Sequence, residues 1–218
     1  LRHIYTSSQH LERLINDLLD LSRAEIGELE ILPVLQDPRA VIVDAFESMA
    51  GSRITSKEVA WRLHLPASLP AIYADPDRLR QVLLNLLSNA GKFTVRGRIL
   101  LAAEAQENHL HLWVEDTGSG IPAEQQARIF ETFSAVGQPA RPGQGIGLGL
   151  RVTHELVKLH HGAISLESTP GVGTAFHVYL PLPTLEQLAP QPETAPSTPF
   201  FWEQPDALPA HVDELTRQ

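Results

Sequence analysis

Cysteine is absent, which excludes disulfide bridges and thiolate metal sites and fits a reducing compartment. No apolar run approaches the roughly 18 residues that span a bilayer, and no stretch reads as a secretory signal. A cytoplasmic location is expected for this stretch, with membrane attachment of the intact protein left open. Basic residues are in the minority: Lys and Arg number 17 against 26 Asp and Glu, for a net charge of -9. They form no cluster, which argues against a nucleic-acid partner. No GxxxxGK[ST] occurs, so the chain is not a P-loop protein. The chain begins with Leu inside a helical pattern, and the expectation is a piece of a longer protein. Its 43% of hydrophobic residues is enough for a core and too much for a disordered chain.

Residues 1 to about 26 read as one helix. Ile4, Leu11 and Leu18 repeat every seven residues, as do Leu14 and Leu21, which makes a heptad-like seam. Gly27 suits its C-terminal cap. A single amphipathic helix cannot bury its stripe alone. It either folds back on its own domain or forms half of a helical hairpin that pairs with a second copy. His3 and His10 read as surface residues, since neither is followed by an acidic residue placed as a base.

A short strand is expected over 29–35, then a helix over 38–52 opened by Asp37-Pro38. A strand over 59–65 has Val59, Trp61, Leu63 and Leu65 on one face. A brief strand over 72–74 leads to a helix that starts at Asp75-Pro76 and runs to about Phe93. A hairpin spans 98–104 and 109–115. A helix over 147–161 and a second strand pair, 163–167 and 174–180, complete the domain. These elements make an α+β two-layer sandwich, a mostly antiparallel mixed sheet with three helices on one face. From Pro183 proline recurs, so 183–218 reads as a linker or tail, broken by Phe200-Phe201-Trp202.

The chemistry is carried by four short segments. Asn85 and Asn89, four apart on the central helix, place two neutral amide oxygens on one face, which suits a hard divalent cation also held by phosphate. Lys92, three residues on, supplies a point charge for phosphate. Asp116 stands at the end of a strand before Gly118, Gly120 and Ile121; a carboxylate there accepts from the exocyclic amine of adenine and rejects the carbonyl of guanine. After Phe130 and Phe133, residues 134–144 lack apolar content and read as a lid. Gly145, Gly147, Leu148 and Gly149 then open a helix, where backbone N–H groups and the helix dipole favour phosphate. Gly171, Gly173 and Thr174 form a tight turn into a strand, with Thr174 in reach of the base. Together the segments describe one site for ATP and Mg²⁺.

These residues resemble the ATP-binding domain of sensor histidine kinases, within the wider family of type II topoisomerases, Hsp90-type chaperones and mismatch-repair ATPases. Asn85, Asn89 and Lys92 match its N box, and Asp116, Gly118 and Gly120 its first glycine box. Phe130 and Phe133 match the F box, Gly145, Gly147 and Gly149 the second glycine box, and Gly171, Gly173 and Thr174 the last. The resemblance implies a Bergerat sandwich over 29–182. Residues 1–28 would then be the second helix of the dimerisation and phosphotransfer hairpin. It implies that Asn85 and Asn89 hold Mg²⁺, that Asn85 and Lys92 serve catalysis, and that Ile121, Phe130 and Leu148 also line the nucleotide. It also implies a homodimer formed through that hairpin and a response-regulator receiver domain as partner. The chain departs from the pattern in two ways: the phosphoacceptor histidine box is missing, and Gly91 stands where a branched apolar residue is usual. Asn85 replaces the Glu that serves the ATPases as general base, and an amide takes no proton at neutral pH. The leading expectation is a histidine kinase fragment. A non-catalytic nucleotide-binding regulatory module is the alternative, and an independent ATPase is disfavoured by Asn85.

Overall fold

The computed structural model describes residues 2–51, 58–130 and 147–184. Helix α1 (Arg2–Glu25) stops at Gly27, whose φ of +74° reverses the chain. The Glu28 N–H donates to Arg23 O at 2.8 Å and the Gly27 N–H to Ala24 O at 3.2 Å, so two terminal carbonyls of the helix are satisfied. The heptad seam divides. Leu21 is 5% exposed and joins the core, whereas Leu11 and Leu18 are 58% and 54% exposed.

Strand β1 (Val34–Gln36) begins five residues later than the 29–35 pattern suggests. The reason is where the preceding N–H groups go. Leu29 donates its N–H to Arg23 O (3.1 Å), Leu32 donates to Asp75 Oδ2 (2.9 Å), and Pro33 has no N–H to give. Helix α2 (Arg39–Ala50) starts where expected: Asp37 Oδ1 accepts the Arg39 N–H at 2.9 Å. It is followed by β2 (Val59–His64) and β3 (Ile72–Ala74), and β3 pairs antiparallel with β1 as a separate two-stranded sheet.

Helix α3 (Pro76–Phe93) matches its expected span because its start is doubly specified. Asp75 Oδ1 accepts the N–H groups of Asp77 and Arg78, and Pro76 occupies the first turn, where no N–H is needed. Burial draws the Asp75 pKa upward, but the N–H donors of Leu32, Arg78 and Asp77 and the Arg78 charge outweigh it and hold the carboxyl below its usual value. Leu79, Val82, Leu83, Leu86 and Leu87 are all buried. Each contributes about 1.5–3 kcal/mol of apolar burial.

The main sheet adds β4 (Gly97–Ala105), β5 (His109–Asp116), β6 (Ala163–Thr169) and β7 (Gly173–Pro181) in the order β2-β4-β5-β7-β6. Only β2 with β4 runs parallel, which α3 makes possible by crossing between them. Inner positions such as Leu101, Leu112, Val114 and Val178 meet α3 and α5 (Gly149–Leu159), and α2 packs beside α3. The mixed sheet with helices on one face is the expected α+β sandwich. A one-turn helix α4 (Ala123–Gln126) is new, and α5 is shorter than the expected 147–161. Gly147 has φ +82° and His161 φ +56°, neither helical, and they bracket it. The tail from 185 lies outside the described residues.

His160 ties α5 to the start of α3. Its Nδ1 lies 2.7 Å from Leu156 O and therefore carries the proton, so Nε2 is left to accept the Asp75 N–H at 3.1 Å. The ring is neutral, and burial holds its pKa below the ordinary histidine value. A base with a depressed folded pKa stabilises above its unfolded pKa, about 6.5, and that contribution is lost as pH falls further. We expect wild-type unfolding free energy to drop between pH 7.5 and 5.5, and His160→Gln to show a smaller drop over the same interval. Equal slopes in urea titrations would contradict the assignment.

Candidate functional site

The site is built on the second half of α3. Asn85 lies 3.2 Å from Gly149 O and 3.4 Å from Thr153 Oγ1. A carbonyl only accepts, so the amide nitrogen donates to α5, while Oδ1 makes no hydrogen bond among the described residues. Thr153 Oγ1 donates to the same Gly149 O at 2.8 Å, fixing the first turn of α5. Asn89 sits one turn further along the same face, and among the described residues its side chain has no hydrogen-bond partner. Lys92 follows on that stripe. Its side chain is exposed, with Nζ 5.0 Å from the Phe93 ring centroid, yet protein around the ammonium lowers its pKa. From Asn85 to Lys92 the helix rises about 10 Å.

At the near end of this stripe, Gly147, the buried Leu148 and Gly149 lead into α5, whose first turn no side chain among the described residues caps. Its N–H groups are available to an anion. Gly145, Phe133 and the expected lid over 134–144 lie outside the described residues. Phe130 packs edge-on to Phe176 (6.4 Å) and against His154 (5.6 Å), at the border of the core.

At the far end, α3 meets the turn after β5. Asp116 is 7% exposed. Its Oδ1 accepts the Gly118 N–H at 2.8 Å and the Thr94 hydroxyl at 3.4 Å, and the Thr174 N–H also donates to the carboxylate. Burial nevertheless dominates and raises its pKa above the ordinary aspartate value. A Cβ on Gly118 would lie 2.5 Å from Phe93 O, and one on Gly173 would overlap the Asp116 carbonyl. Glycine is therefore what lets the end of α3, the β5 turn and the start of β7 converge.

The structure thus sets Asn85, Asn89 and Lys92 along one stripe of α3, with Gly147, Leu148 and Gly149 at one end and Asp116 and Gly118 at the other; Thr174 pairs with Asp116 across the sheet, and Gly120 and Ile121 follow in the turn that leaves β5. A polar cleft of about 280 Å³ between α1 and α3, lined by Glu12, Asp17, Asp77, Arg80 and Gln81, also reaches Asn85 but not Asp116. Two residues that sequence reasoning missed hold the Asp116 corner. Ser168 Oγ accepts the Ile121 N–H at 2.8 Å, and Gln126 Nε2 donates to Ile121 O (2.8 Å) and Ser168 O (2.9 Å). A serine in a strand and a glutamine on a one-turn helix carry no motif that would have marked them.

The sequence profile of the family described as histidine kinase-, DNA gyrase B-, and HSP90-like ATPase matches residues 74–184. The circadian input-output histidine kinase CikA of Synechococcus elongatus is 39% identical over 198 residues, covering 88% of this chain and 26% of CikA. The sensor histidine kinase RcsC of Escherichia coli is 39% identical over 178 residues, covering 81% of this chain and 19% of RcsC. The chain thus spans about a quarter or less of these relatives. Among solved structures, full-length ShkA in complex with AMPPNP is 32% identical with a TM-score of 0.70, covering 82% of this chain and 37% of that one.

The raised pKa of Asp116 has a stability consequence. An acid whose folded pKa is raised favours the folded state below that pKa, and the benefit is lost as pH rises through it. At pH 7 the ionised carboxylate therefore weighs against folding. Asp116→Asn keeps an oxygen for the Gly118 N–H and removes the charge. We expect it to cost less than about 0.5 kcal/mol in the unliganded protein, within the range of benign substitutions. Thermal unfolding at pH 7 checks this, and a melting temperature several degrees below wild type would contradict it.

Proposed function

Since the chain belongs to the family of histidine kinase-, DNA gyrase B- and HSP90-like ATPases, we propose that it is the ATP-binding catalytic part of a sensor histidine kinase. In this reading residues 29–182 bind the nucleotide, 1–28 supply the second helix of a dimerisation hairpin, and 183–218 are a linker or tail. The observation that carries it is the asymmetric use of Asn85. Its nitrogen is committed to the start of α5, which leaves Oδ1 to accept, and one turn further along the same face the Asn89 amide has no hydrogen-bond partner among the described residues.

The remaining assignments follow from the stripe. Asp116 and Thr174 receive the adenine amine, with Gly118, Gly120 and Ile121 allowing close approach of the ring. The backbone of Gly145, Gly147, Leu148 and Gly149 receives phosphate oxygens, and Lys92 adds a positive charge. Phe130 packs the border of the site. Two carboxamide oxygens one turn apart fit Mg²⁺, which takes few protein ligands and shares the rest with phosphate. Bound there, the ion neutralises phosphate charge. The chain's own residues bind, orient and exclude water, which is most of what phosphoryl transfer requires.

In the full protein a histidine ring nitrogen, on a helix outside this sequence, forms a bond to the γ-phosphorus as the bond to the β–γ bridging oxygen breaks and ADP leaves. A response-regulator aspartate then receives the phosphoryl group. Transfer occurs within a homodimer joined through the helical hairpin, whose exposed row includes Leu11 and Leu18. Asn85 gives water no base, so hydrolysis is slow.

Calorimetry should detect ATP binding that requires Mg²⁺, and Asp116→Asn should weaken it at least tenfold while leaving the fold intact. Labelled ATP should place no phosphate on the chain alone, including His3 and His10. It should give acid-labile phosphohistidine when a separate histidine-bearing hairpin from the same full-length protein is added. Clean ATP binding with no transfer to that hairpin would favour the regulatory module instead.

A further inference from the structure

A row of polar side chains crosses the end of the sheet at the site. Register pairs Asp116 of β5 with Thr174 of β7, and Thr174 with Ser168 of β6. Directly opposed residues project to one face, so the three form a continuous row. Ser168 Oγ stands 2.8 Å from Ile121 N, 2.9 Å from Gly173 O and 3.0 Å from Thr174 Oγ1.

The directions of these bonds can be assigned by counting protons. A serine hydroxyl has one proton to give and two lone pairs to receive. The Ile121 N–H only donates, so Ser168 accepts there. The Gly173 carbonyl only accepts, so the Ser168 proton goes to it. All three contacts are bonds only if Thr174 donates to Ser168. The single Thr174 proton is then spent, and its oxygen keeps acceptor capacity alone. Beside it stands the Asp116 carboxylate, which when ionised has no proton to donate and is an acceptor alone. The assignment depends on Ile121 staying in place. Gln126 ensures this by donating to both Ile121 O and Ser168 O.

We propose that Ser168 is a positioning residue for base selection. By holding the Thr174 proton, it makes the wall formed by Asp116 and Thr174 acceptor-only, so that wall takes a purine with a 6-amino group and rejects one with a 6-oxo group. The inference rests on the nucleotide-binding reading above. In Ser168→Ala the Thr174 hydroxyl is free to turn and donate to a 6-oxo group. The discrimination that is lost is that of one neutral hydrogen bond.

The test is competitive displacement of a fluorescent adenine nucleotide from the full chain by ATP and by ITP, whose base is 6-oxo, with Mg²⁺ present. Wild type should prefer ATP. Ser168→Ala should lower the ATP-to-ITP affinity ratio by about three- to tenfold, the worth of one such bond. Ser168→Thr, which keeps the hydroxyl, should restore the ratio. In a Thr174→Val background, Ser168→Ala should leave the ratio unchanged, because no Thr174 proton remains to be held. If Ser168→Ala fails to fold, Ser168→Cys, with its weak donor and acceptor, must shift the ratio in the same direction. Equal weakening of both nucleotides, with the ratio held, would overturn this inference alone. A wild type that binds neither nucleotide would remove the underlying reading and this inference with it.

Discussion

The close approach of two backbones, at Phe93 O and Gly118, sets the geometry that the rest of the site depends on. Helix α3 ends against the turn that leaves β5, with no room for a side chain between them. This contact places the Thr94 hydroxyl on Asp116 and so fixes the carboxylate relative to the helix. Because Asn85, Asn89 and Lys92 ride on the same helix, one backbone contact sets their distance from Asp116. The other end is fixed independently: Asn85 is bonded to Gly149, and Asp75 and His160 hold the start of α3 against α5. A rigid rod clamped at both ends suits a site whose parts must all touch one extended ligand.

The opposite face of the sheet shows what the same strands do without that constraint. His111 Nε2 lies 3.0 Å from His177 Nδ1, with ring centroids 5.2 Å apart. That centroid distance is what two rings give when their nitrogens meet head-on, so one N–H points into the other's lone pair. Glu104 Oε1 lies 3.2 Å from His111 Nδ1 and completes the chain. Trp113 and Tyr179 stack on the same imidazole. Cross-strand packing of this kind ties β5 to β7 from behind, three and five residues from Thr174 and Asp116 respectively. The strand pair that delivers both residues to the site is thus braced on its outer side.

Legibility in the sequence follows how local each signal is. Asp75-Pro76 and the leucine spacing of α3 are local, and the helix begins and ends where they say. The 29–35 pattern is also local, but the Leu29 N–H goes back to Arg23, the Leu32 N–H goes to Asp75 far along the chain and Pro33 has none, so the strand is cut to three residues. Gly147 reads as a helix start from its neighbours, yet its positive φ excludes it. The convergence of Asn85 on Gly149 and of Phe93 on Gly118 could be anticipated only from the family resemblance, since no spacing within either segment encodes it. Ser168 and Gln126 were not legible at all: their role lies in which proton goes where, and that exists only once β6, β7 and α4 are assembled.

The features that weigh against stability gather at one corner. Asp116 is a buried carboxylate with a raised pKa, Gly120 and Gly173 hold positive φ, and a Cβ on either would collide with backbone. Each costs conformational freedom or desolvation, and a domain of this size has few kcal/mol to spare. A core built for stability alone would carry none of them, as the leucine-rich middle of α3 shows. Departures from local preference that share one location, and that three separate turns cooperate to maintain, are expected where a ligand must be met rather than a fold upheld. The polar row Asp116–Thr174–Ser168 lies in that corner. Its protons are ordered before any ligand arrives, so little reorganisation is left for binding to supply.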